Sequence, residues 1–228
     1  MTEKTSASSN HWLEHVRAGG MYAIKLIRLL WWMPSGYGEA CILPEDYMTN
    51  WVILFARTGA EEKILFTLKE KLNAGEYLPF LPTKETLFRS RGVISKVRRI
   101  LFPGYIFIKT EIEAASIAEK LNLSLTDTNN RQLENVYSIL HYGSNEKDVA
   151  VRKRERLYWE RLLDSDFCVR GSTGVIVGGT VSVVSGPLIG KEGCIKKINR
   201  HKREAVIEMD VMGAQREVRV MLEIVEKL

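Results

Sequence analysis

Leu101-Phe-Pro-Gly-Tyr-Ile-Phe-Ile-Lys109 is the most informative segment for the fold of the N-terminal part of this chain. Its Pro-Gly pair predicts a bend, because proline fixes φ and glycine tolerates backbone angles that other residues avoid. The strongly apolar run after the bend predicts a strand. Side chains alternate along a strand, so Tyr105 and Phe107 are expected on the same face. The stretch therefore predicts a turn that leads directly into a strand.

The segments around this stretch predict an alternation of strands and helices. Residues 50–57 form a short apolar run that is typical of a buried central strand. Residues 61–73 have the apolar stripe of an amphipathic helix, with acidic residues in its first turn. Together these segments indicate an α+β fold, an antiparallel sheet with flanking helices. The remaining predicted elements are a hairpin with arms at 77–88 and 93–101, a helix around 113–121, a strand at 136–142 and a surface helix at 148–163.

From residue 175 onward the pattern changes to short strands separated by glycine-containing turns. Five short strands in succession indicate a small all-β barrel, closed or nearly closed. We therefore expect two domains, at 49–163 and 175–228, joined by a linker at 164–174. Residues 1–48 lack a helix-long periodicity, and we expect a disordered extension or a start site placed too early. The predicted barrel strands are 180–184, 193–198, 204–209, 216–221 and 223–225.

Composition and charge narrow the possible functions. The chain has 228 residues, with 45% hydrophobic and 27% charged residues, which is ordinary for a globular protein. A net charge of +5 permits contact with nucleic acid or with an anionic membrane. Three widely spaced cysteines without a CxxC motif argue against a disulfide framework or a zinc site, and favour a reducing cytoplasm. Residues 21–33 are too short and too charged to span a bilayer, although a membrane-associated factor using residues 26–32 is one alternative.

No catalytic motif is recognisable in the sequence. A P-loop, a dinucleotide fingerprint and a Gly-x-Ser-x-Gly elbow are absent, and no histidine has a cysteine, serine or carboxylate at a triad or metal spacing. We therefore expect a non-enzymatic protein without catalytic residues, cofactor, metal or small-molecule substrate. A catalytic site assembled from residues distant in the sequence is the alternative.

Residues 190–203 form a strongly basic segment. Six of them are lysine or arginine, and only Glu192 is acidic. Clustered cations bind phosphates through counterion release, and Arg and Asn side chains also hydrogen-bond base edges. The segment predicts an RNA-binding surface, and the alternative is a charged turn that is only solvated. The basic hairpin at 77–101 has the same two interpretations, a nucleic-acid contact or a solvated hairpin tip. The predicted RNA-binding residues are Lys191, Lys196, Lys197, Asn199, Arg200, His201, Lys202 and Arg203.

Two motifs carry a resemblance to a known family. Residues 101–108 resemble the signature strand of the NusG N-terminal (NGN) domain, and residues 50–55 resemble the first strand of that domain. Val181-Ser-Val-Val-Ser-Gly-Pro-Leu-Ile-Gly-Lys-Glu-Gly-Cys-Ile195 is similar to the KOW motif of the second domain of that family. The resemblance covers roughly residues 49–228. It implies a bacterial transcription factor with an NGN domain and an SH3-like KOW barrel of five strands.

Within the family, the chain is most similar to the specialised paralogue LoaP. General elongation factors of the family usually carry fewer basic residues around 196–203. They also have Phe-Gly-Arg in the fourth barrel strand, where this chain has Met212-Gly-Ala214. This departure puts the usual partnership with a ribosomal protein or Rho in doubt. The LoaP-like segments are 57–63, 82–85, 197–205 and 222–227.

The resemblance implies a division of labour between the domains of a monomer. The NGN domain would bind the β′ clamp helices of RNA polymerase, and Arg57 and Lys63 would touch the non-template DNA strand. The KOW barrel would hold a hairpin in the nascent RNA and keep polymerase resistant to termination. The alternatives are a general NusG-type factor and a structural RNA-binding KOW protein. The predicted polymerase-binding residues are Trp51, Phe55, Phe102, Tyr105 and Phe107. The alternative for each is that it is an ordinary residue of the hydrophobic core.

Overall fold

The computed structural model describes residues 48–126 and 133–227. All of them belong to one compact unit, Tyr47–Leu228. The expected extension at 1–48 lies, except for Met48, outside the described residues.

The N-terminal part of the described chain alternates strands and helices, much as the sequence predicts. Helix α1 follows the apolar stripe found in the sequence, and its first turn carries Glu61 and Glu62. The elements are β1 (Asn50–Ala56), α1 (Glu61–Lys71), β2 (Tyr77–Phe80), β3 (Thr83–Ser90), β4 (Val93–Ile100), β5 (Tyr105–Thr110), α2 (Ala114–Thr126), β6 (Val136–Ile139) and α3 (Lys153–Glu160).

Strands β2, β5, β1 and β6 form an antiparallel sheet in that order. Because side chains alternate along β1, Val52 and Leu54 face one side of this sheet, and Trp51 and Ile53 face the other. The first side packs against α1 and α2. The second side packs against Trp159 of α3. The predicted α+β architecture, an antiparallel sheet between helices, is confirmed.

Strands β3 and β4 form a hairpin in a separate sheet, where the short strand β7 (Cys168–Val169) pairs with β3 in parallel. The hairpin turn is formed by Arg91 and Gly92, whose φ angles of 49° and 83° are those that a tight hairpin turn requires. The sequence predicted one strand at 77–88, but β2 and β3 are two strands in different sheets. Pro82 lies between them, and a proline has no N–H with which to continue a ladder.

The C-terminal part forms one five-stranded sheet, in which each strand is antiparallel to its neighbour except for the parallel pair β12 and β8. The five strands are not the five that the sequence predicted, since β8 was not predicted as a strand and the predicted strands 216–221 and 223–225 are one continuous strand, β12. The reason is that β12 pairs first with β11 and then, from Leu222 on, with β8, so that no turn is needed. Closure into a barrel stays a prediction. In the order β10-β11-β12-β8-β9, the strands are β8 (Ser172–Val177), β9 (Thr180–Ser185), β10 (Ile195–Asn199), β11 (Glu204–Val211) and β12 (Ala214–Lys227).

The segment predicted as a linker, 164–174, contains β7 and the beginning of β8. Asp164 Oδ1 accepts hydrogen bonds from the backbone N–H groups of Asp166 and Cys168, at 2.9 and 2.8 Å. The Arg170 guanidinium forms ion pairs with both Asp164 and Asp166. These contacts fix the path of a segment that the sequence predicted only as a connection.

The two parts of the chain share one hydrophobic core. A single apolar cluster contains Trp51 and Trp159 from the N-terminal part, and Leu188 and Ile207 from the C-terminal part, all nearly or fully buried. Burial of apolar surface between the parts favours a fixed arrangement over two independent domains. The positions of the candidate binding surfaces are therefore coupled through this core.

Candidate nucleic-acid and protein interfaces

The basic turn, residues 199–203, connects β10 to β11. The Asn199 side-chain oxygen accepts a hydrogen bond from the Lys202 N–H at 3.0 Å. Arg203 has a φ of 51°, and its N–H donates to the Arg200 carbonyl at 3.2 Å. Asn199 therefore shapes the turn, and Arg200, His201 and Lys202 stand exposed on it.

The predicted RNA-binding cations differ in whether they have a protein partner. Lys196 forms an ion pair with Glu208 at 2.6 Å, and Arg203 pairs with Glu223 at 3.2 Å. Three other lysine and arginine side chains of the predicted set are exposed, and within residues 48–126 and 133–227 none of them takes part in an ion pair. An RNA phosphate can therefore reach them without displacing a carboxylate. These three are Lys197, Arg200 and Lys202, and we call them the free cations of the basic turn, although Lys197 lies on β10 two residues before it.

A β-bulge lies between Ile195 and Lys197 on strand β10. The sequence predicted strict alternation, with Lys196 and Lys197 on opposite faces. At a bulge, two residues of one strand lie opposite a single residue of its partner, and this interrupts the alternation of faces. Both lysines are therefore exposed.

Lys191 lies at the other end of β10 from the basic turn. It is half-buried, and its Nζ donates to the Pro187 carbonyl at 2.8 Å and lies 5.9 Å from the centre of the Tyr158 ring. Burial lowers the pKa of Lys191, and the positive charge of Arg161 lowers it further. The structure therefore separates Lys191 from the free cations of the basic turn.

Three of the five predicted polymerase-binding aromatics are buried. Trp51, Phe102 and Phe107 are at most 5% exposed, and Trp159 packs edge-on against Phe102 and Phe107. They are core residues because they face the side of the sheet that α3 covers. The prediction of an exposed patch is corrected for these three.

An exposed aromatic patch remains at the uncovered end of the same sheet face. Phe55 is 39% exposed, and its ring centre lies 5.7 Å from that of Tyr105 and 5.5 Å from that of Tyr137. Tyr137 is 60% exposed and was not predicted. It occupies the extra position of a bulge, since Phe55 pairs with Ser138 and the next residue of β1 pairs with Val136. We call Phe55, Tyr105 and Tyr137 the aromatic patch.

Arg57 and Lys63, the predicted DNA contacts, are exposed around the turn from β1 to α1. The buried carboxylate of Glu61 holds this turn, because it accepts hydrogen bonds from the N–H groups of Gly59 and Gly104, both at 2.7 Å. Gly104 belongs to the Pro-Gly bend that precedes β5. The two cations are therefore positioned beside the bend by one carboxylate.

Polar contacts made by α3 and β3 join the N-terminal and C-terminal parts. Glu155 of α3 accepts hydrogen bonds from the Tyr142 hydroxyl and the Met212 N–H, both at 2.7 Å. Lys84 of β3 donates to the Arg219 carbonyl of β12 at 2.7 Å. None of these contacts covers the aromatic patch or the free cations of the basic turn, so both surfaces are accessible at the same time.

The described residues contain no group of three or more His, Cys, Asp and Glu side chains that could hold a metal ion. Among the same residues, no helix has both the length and the apolar character needed to cross a membrane.

The chain has a match among known protein families. Residues 49–157 match the family model described as transcription termination factor nusG. The match covers slightly less than half of the chain, and it shows that this segment is similar to the NusG family of transcription factors. It ends before the basic turn, so the resemblances to KOW and to LoaP stay predictions. No curated protein matches the chain.

Proposed function

We propose that this chain is a NusG-type transcription elongation regulator that binds RNA polymerase and nascent RNA, and acts as a LoaP-like processive antiterminator. The observation that carries the proposal is the simultaneous exposure of two surfaces on one compact unit. These surfaces are the aromatic patch and the free cations of the basic turn. A general NusG-type elongation or termination factor is the second candidate, favoured by the description of the matching family model.

The aromatic patch is the proposed contact with the β′ clamp helices of polymerase. Large aromatic side chains dominate the energetics of protein interfaces, since they bury much apolar area with little loss of rotamer freedom. The Phe55 ring lies against the rings of both Tyr105 and Tyr137, and the three residues belong to three neighbouring strands of one sheet. A pre-arranged patch of this kind loses little entropy on binding.

The free cations of the basic turn are the proposed contact with an RNA hairpin. Lys197, Arg200 and Lys202 have no carboxylate partner among the described residues, so phosphate contact removes no internal ion pair. The hydrogen bond from Lys202 N–H to Asn199 holds the turn in one conformation. Phosphate contacts position the protein, whereas guanidinium contacts to splayed bases supply sequence selectivity.

The proposed mechanism needs no bond-making. An RNA hairpin held by the basic turn raises the effective concentration of the aromatic patch at the polymerase, because both surfaces belong to one compact unit. A coupling of about 1–3 kcal/mol between the two contacts then changes the population of polymerase states by several-fold to a hundredfold. Arg57 and Lys63 are also exposed cations, and for these two we propose contact with the non-template DNA strand instead of RNA.

The turn between β11 and β12 supports a specialised factor over a general one. At this place, where general factors of the family carry Phe-Gly-Arg, Met212 is 9% exposed and its N–H is bound to Glu155. The next residue, Gly213, lies against the Tyr142 ring, which a Cβ at Gly213 would approach to 3.3 Å. Because the N-terminal part occupies this turn, a partner protein can reach it only by displacing Tyr142 and Glu155.

A termination assay with purified bacterial RNA polymerase tests the proposal. Two templates carry the same terminator, one with and one without a structured leader, and the chain is added at equal concentration to both. We expect read-through that depends on the leader and that is lost when Lys197, Arg200 and Lys202 are changed to glutamate. Read-through that ignores the leader would support the general factor, and no effect on either template would contradict both candidates.

A further inference from the structure

Helix α3 presents one face to the loop between β9 and β10. Lys153, Leu157 and Arg161 recur every four residues along this face, with Arg154 and Tyr158 beside them. The opposite wall consists of residues 189–191 and Cys194. Between the walls lies an open cleft of about 800 Å³, which we call the helix–loop cleft.

The helix–loop cleft is basic. Its lining includes four cations and no carboxylate. Two acids close in sequence to the lining are engaged elsewhere, since Glu160 pairs with Arg156 at 3.3 Å and Glu192 accepts the Val183 N–H at 3.1 Å. Three more, Glu155, Glu208 and Asp210, line an adjoining pocket that shares Arg154 with the cleft. Within the described ranges, no ion pair involves any of the four cations. These are Lys153, Arg154, Arg161 and Lys191.

Like charges meet where the two walls approach. Arg161 and Lys191 repel each other, an effect that adds to burial in lowering the pKa of Lys191. One Lys191 N–H is used by the Pro187 carbonyl, which leaves two donors for another acceptor. A bound anion would offset the repulsion between these two residues and satisfy the remaining donors.

The lining is also partly apolar. Leu157 and Ile189 are 37% and 55% exposed, although neither belongs to the basic turn or the aromatic patch. A volume of about 800 Å³ exceeds that of a single phosphate and fits a few linked nucleotide units. Cations beside exposed apolar side chains suit a single strand, whose bases are open, better than a duplex, which presents mainly phosphate and sugar.

We propose that the helix–loop cleft binds single-stranded RNA that adjoins the hairpin held by the basic turn. The inference rests on the proposed function and extends it to a second RNA site, made partly by α3. The cleft and the turn lie at opposite ends of β10, roughly 15–20 Å apart at the usual rise of a strand. An RNA of a few nucleotides beyond the hairpin spans that distance.

The test is a binding titration of the full chain with two RNAs. One is the leader hairpin alone, and the other is the same hairpin with a single-stranded tail. The tail has about ten nucleotides, which is within the usual range of site sizes for single-strand binding. We expect the tail to raise affinity by about tenfold, the size of one charge-assisted phosphate contact. The variant R154A/R161A should lose this gain but bind the bare hairpin normally. Its salt slope on the tailed RNA should fall by about 0.7 for each phosphate that the variant no longer neutralises. The charge-matched control K69A/K71A, on the exposed side of α1, should behave as the unchanged chain.

The outcomes separate the two proposals. If the unchanged chain binds neither RNA, the proposed function fails and the cleft site fails with it. If it binds the hairpin but the tail adds nothing, the cleft site alone is overturned. Equal loss of both RNAs by a normally folded R154A/R161A also overturns the single-strand assignment, since the cleft would then contact the hairpin. Crosslinking of 4-thiouridine in the tail to residues 153–161 provides a second readout that supports the site if positive.

Discussion

Glu155 and Met212 join the two parts of the chain, because Glu155 Oε1 accepts the Met212 N–H at 2.7 Å. The other oxygen of the same carboxylate accepts the Tyr142 hydroxyl at 2.7 Å. Met212 and Gly213, with φ angles of 52° and 75°, form the tight turn that presents this N–H to α3. This carboxylate therefore adds to the shared core in holding the sheet that carries the basic turn against the part that carries the aromatic patch.

Replacing Glu155 with alanine is expected to lower the free energy of unfolding by about 1.5–3 kcal/mol, the range for hydrogen bonds to a charged group. Urea denaturation measures this, and hydrogen exchange at the Met212 N–H reports the local loss. The control is E160A on the same helix, where Glu160 is exposed and forms only an ion pair with Arg156. That change should cost less than about 0.5 kcal/mol. Equal effects of the two changes would contradict the role assigned to Glu155.

Glu85 is expected to make stability depend on pH. A hydrogen bond from the Gly171 N–H, with help from Arg170 and Lys96, holds the pKa of Glu85 below its ordinary value of 4.5 despite partial burial. A carboxyl with a depressed pKa stabilises the folded state above its unfolded pKa, and that contribution is lost as pH falls through the folded pKa. Urea unfolding at several pH values should show a smaller acid loss in E85Q than in the unchanged chain. Parallel curves for the two proteins would contradict this.

Gly186 is expected to tolerate no side chain. Its φ is 93°, and a Cβ there would lie 2.6 Å from the Ser172 Cα. Alanine at this position must move the backbone of β8, and should cost several kcal/mol in unfolding free energy. Gly190 is the matched control, since its φ is 70° but nothing lies within 4 Å of a Cβ. G190A should cost about 1–2 kcal/mol, for the left-handed backbone alone.

Changing Phe55 and Tyr137 to alanine is expected to weaken polymerase binding without unfolding the chain. Hot-spot residues contribute about 2 kcal/mol or more each, so the dissociation constant should rise at least about tenfold. Fluorescence anisotropy with core polymerase measures it, and circular dichroism checks the fold. F66A is the control, because Phe66 is 64% exposed on α1, on the other side of the sheet. In contrast, F102A should destabilise the fold by about 3–5 kcal/mol, since Phe102 is buried.

Changing Lys197, Arg200 and Lys202 to alanine is expected to reduce the salt dependence of hairpin binding. Each phosphate that these side chains no longer neutralise should lower the slope of log affinity against log salt by about 0.7–0.9. A gel-shift titration at several salt concentrations measures the slope. K196A is the informative comparison, because Lys196 already pairs with Glu208 and should change the slope less. A larger effect of K196A than of the triple change would contradict the assignment of the free cations.

Local patterns predicted the elements whose residues form continuous runs. The apolar runs at β1 and β5 and the stripe along α1 were found because side-chain burial there repeats with a regular period. The division of 77–88 at Pro82 was missed, because the sheet that each half joins depends on partners far along the chain. Tyr137 was missed for the same reason, since a bulge exists only relative to the strand it opposes.

The mixed α+β fold, the order of the main strands and helices and the location of the basic turn can all be read from the amino-acid sequence. These follow from hydrophobic periodicity and turn chemistry, which act between neighbouring residues. Which candidate residues are available to a partner depends instead on the folded structure. It buried Phe102 against Trp159, paired Lys196 with Glu208 and brought Arg161 to Lys191. Burial and ion pairing depend on contacts between residues distant in sequence, and one sequence read along its length does not contain those distances.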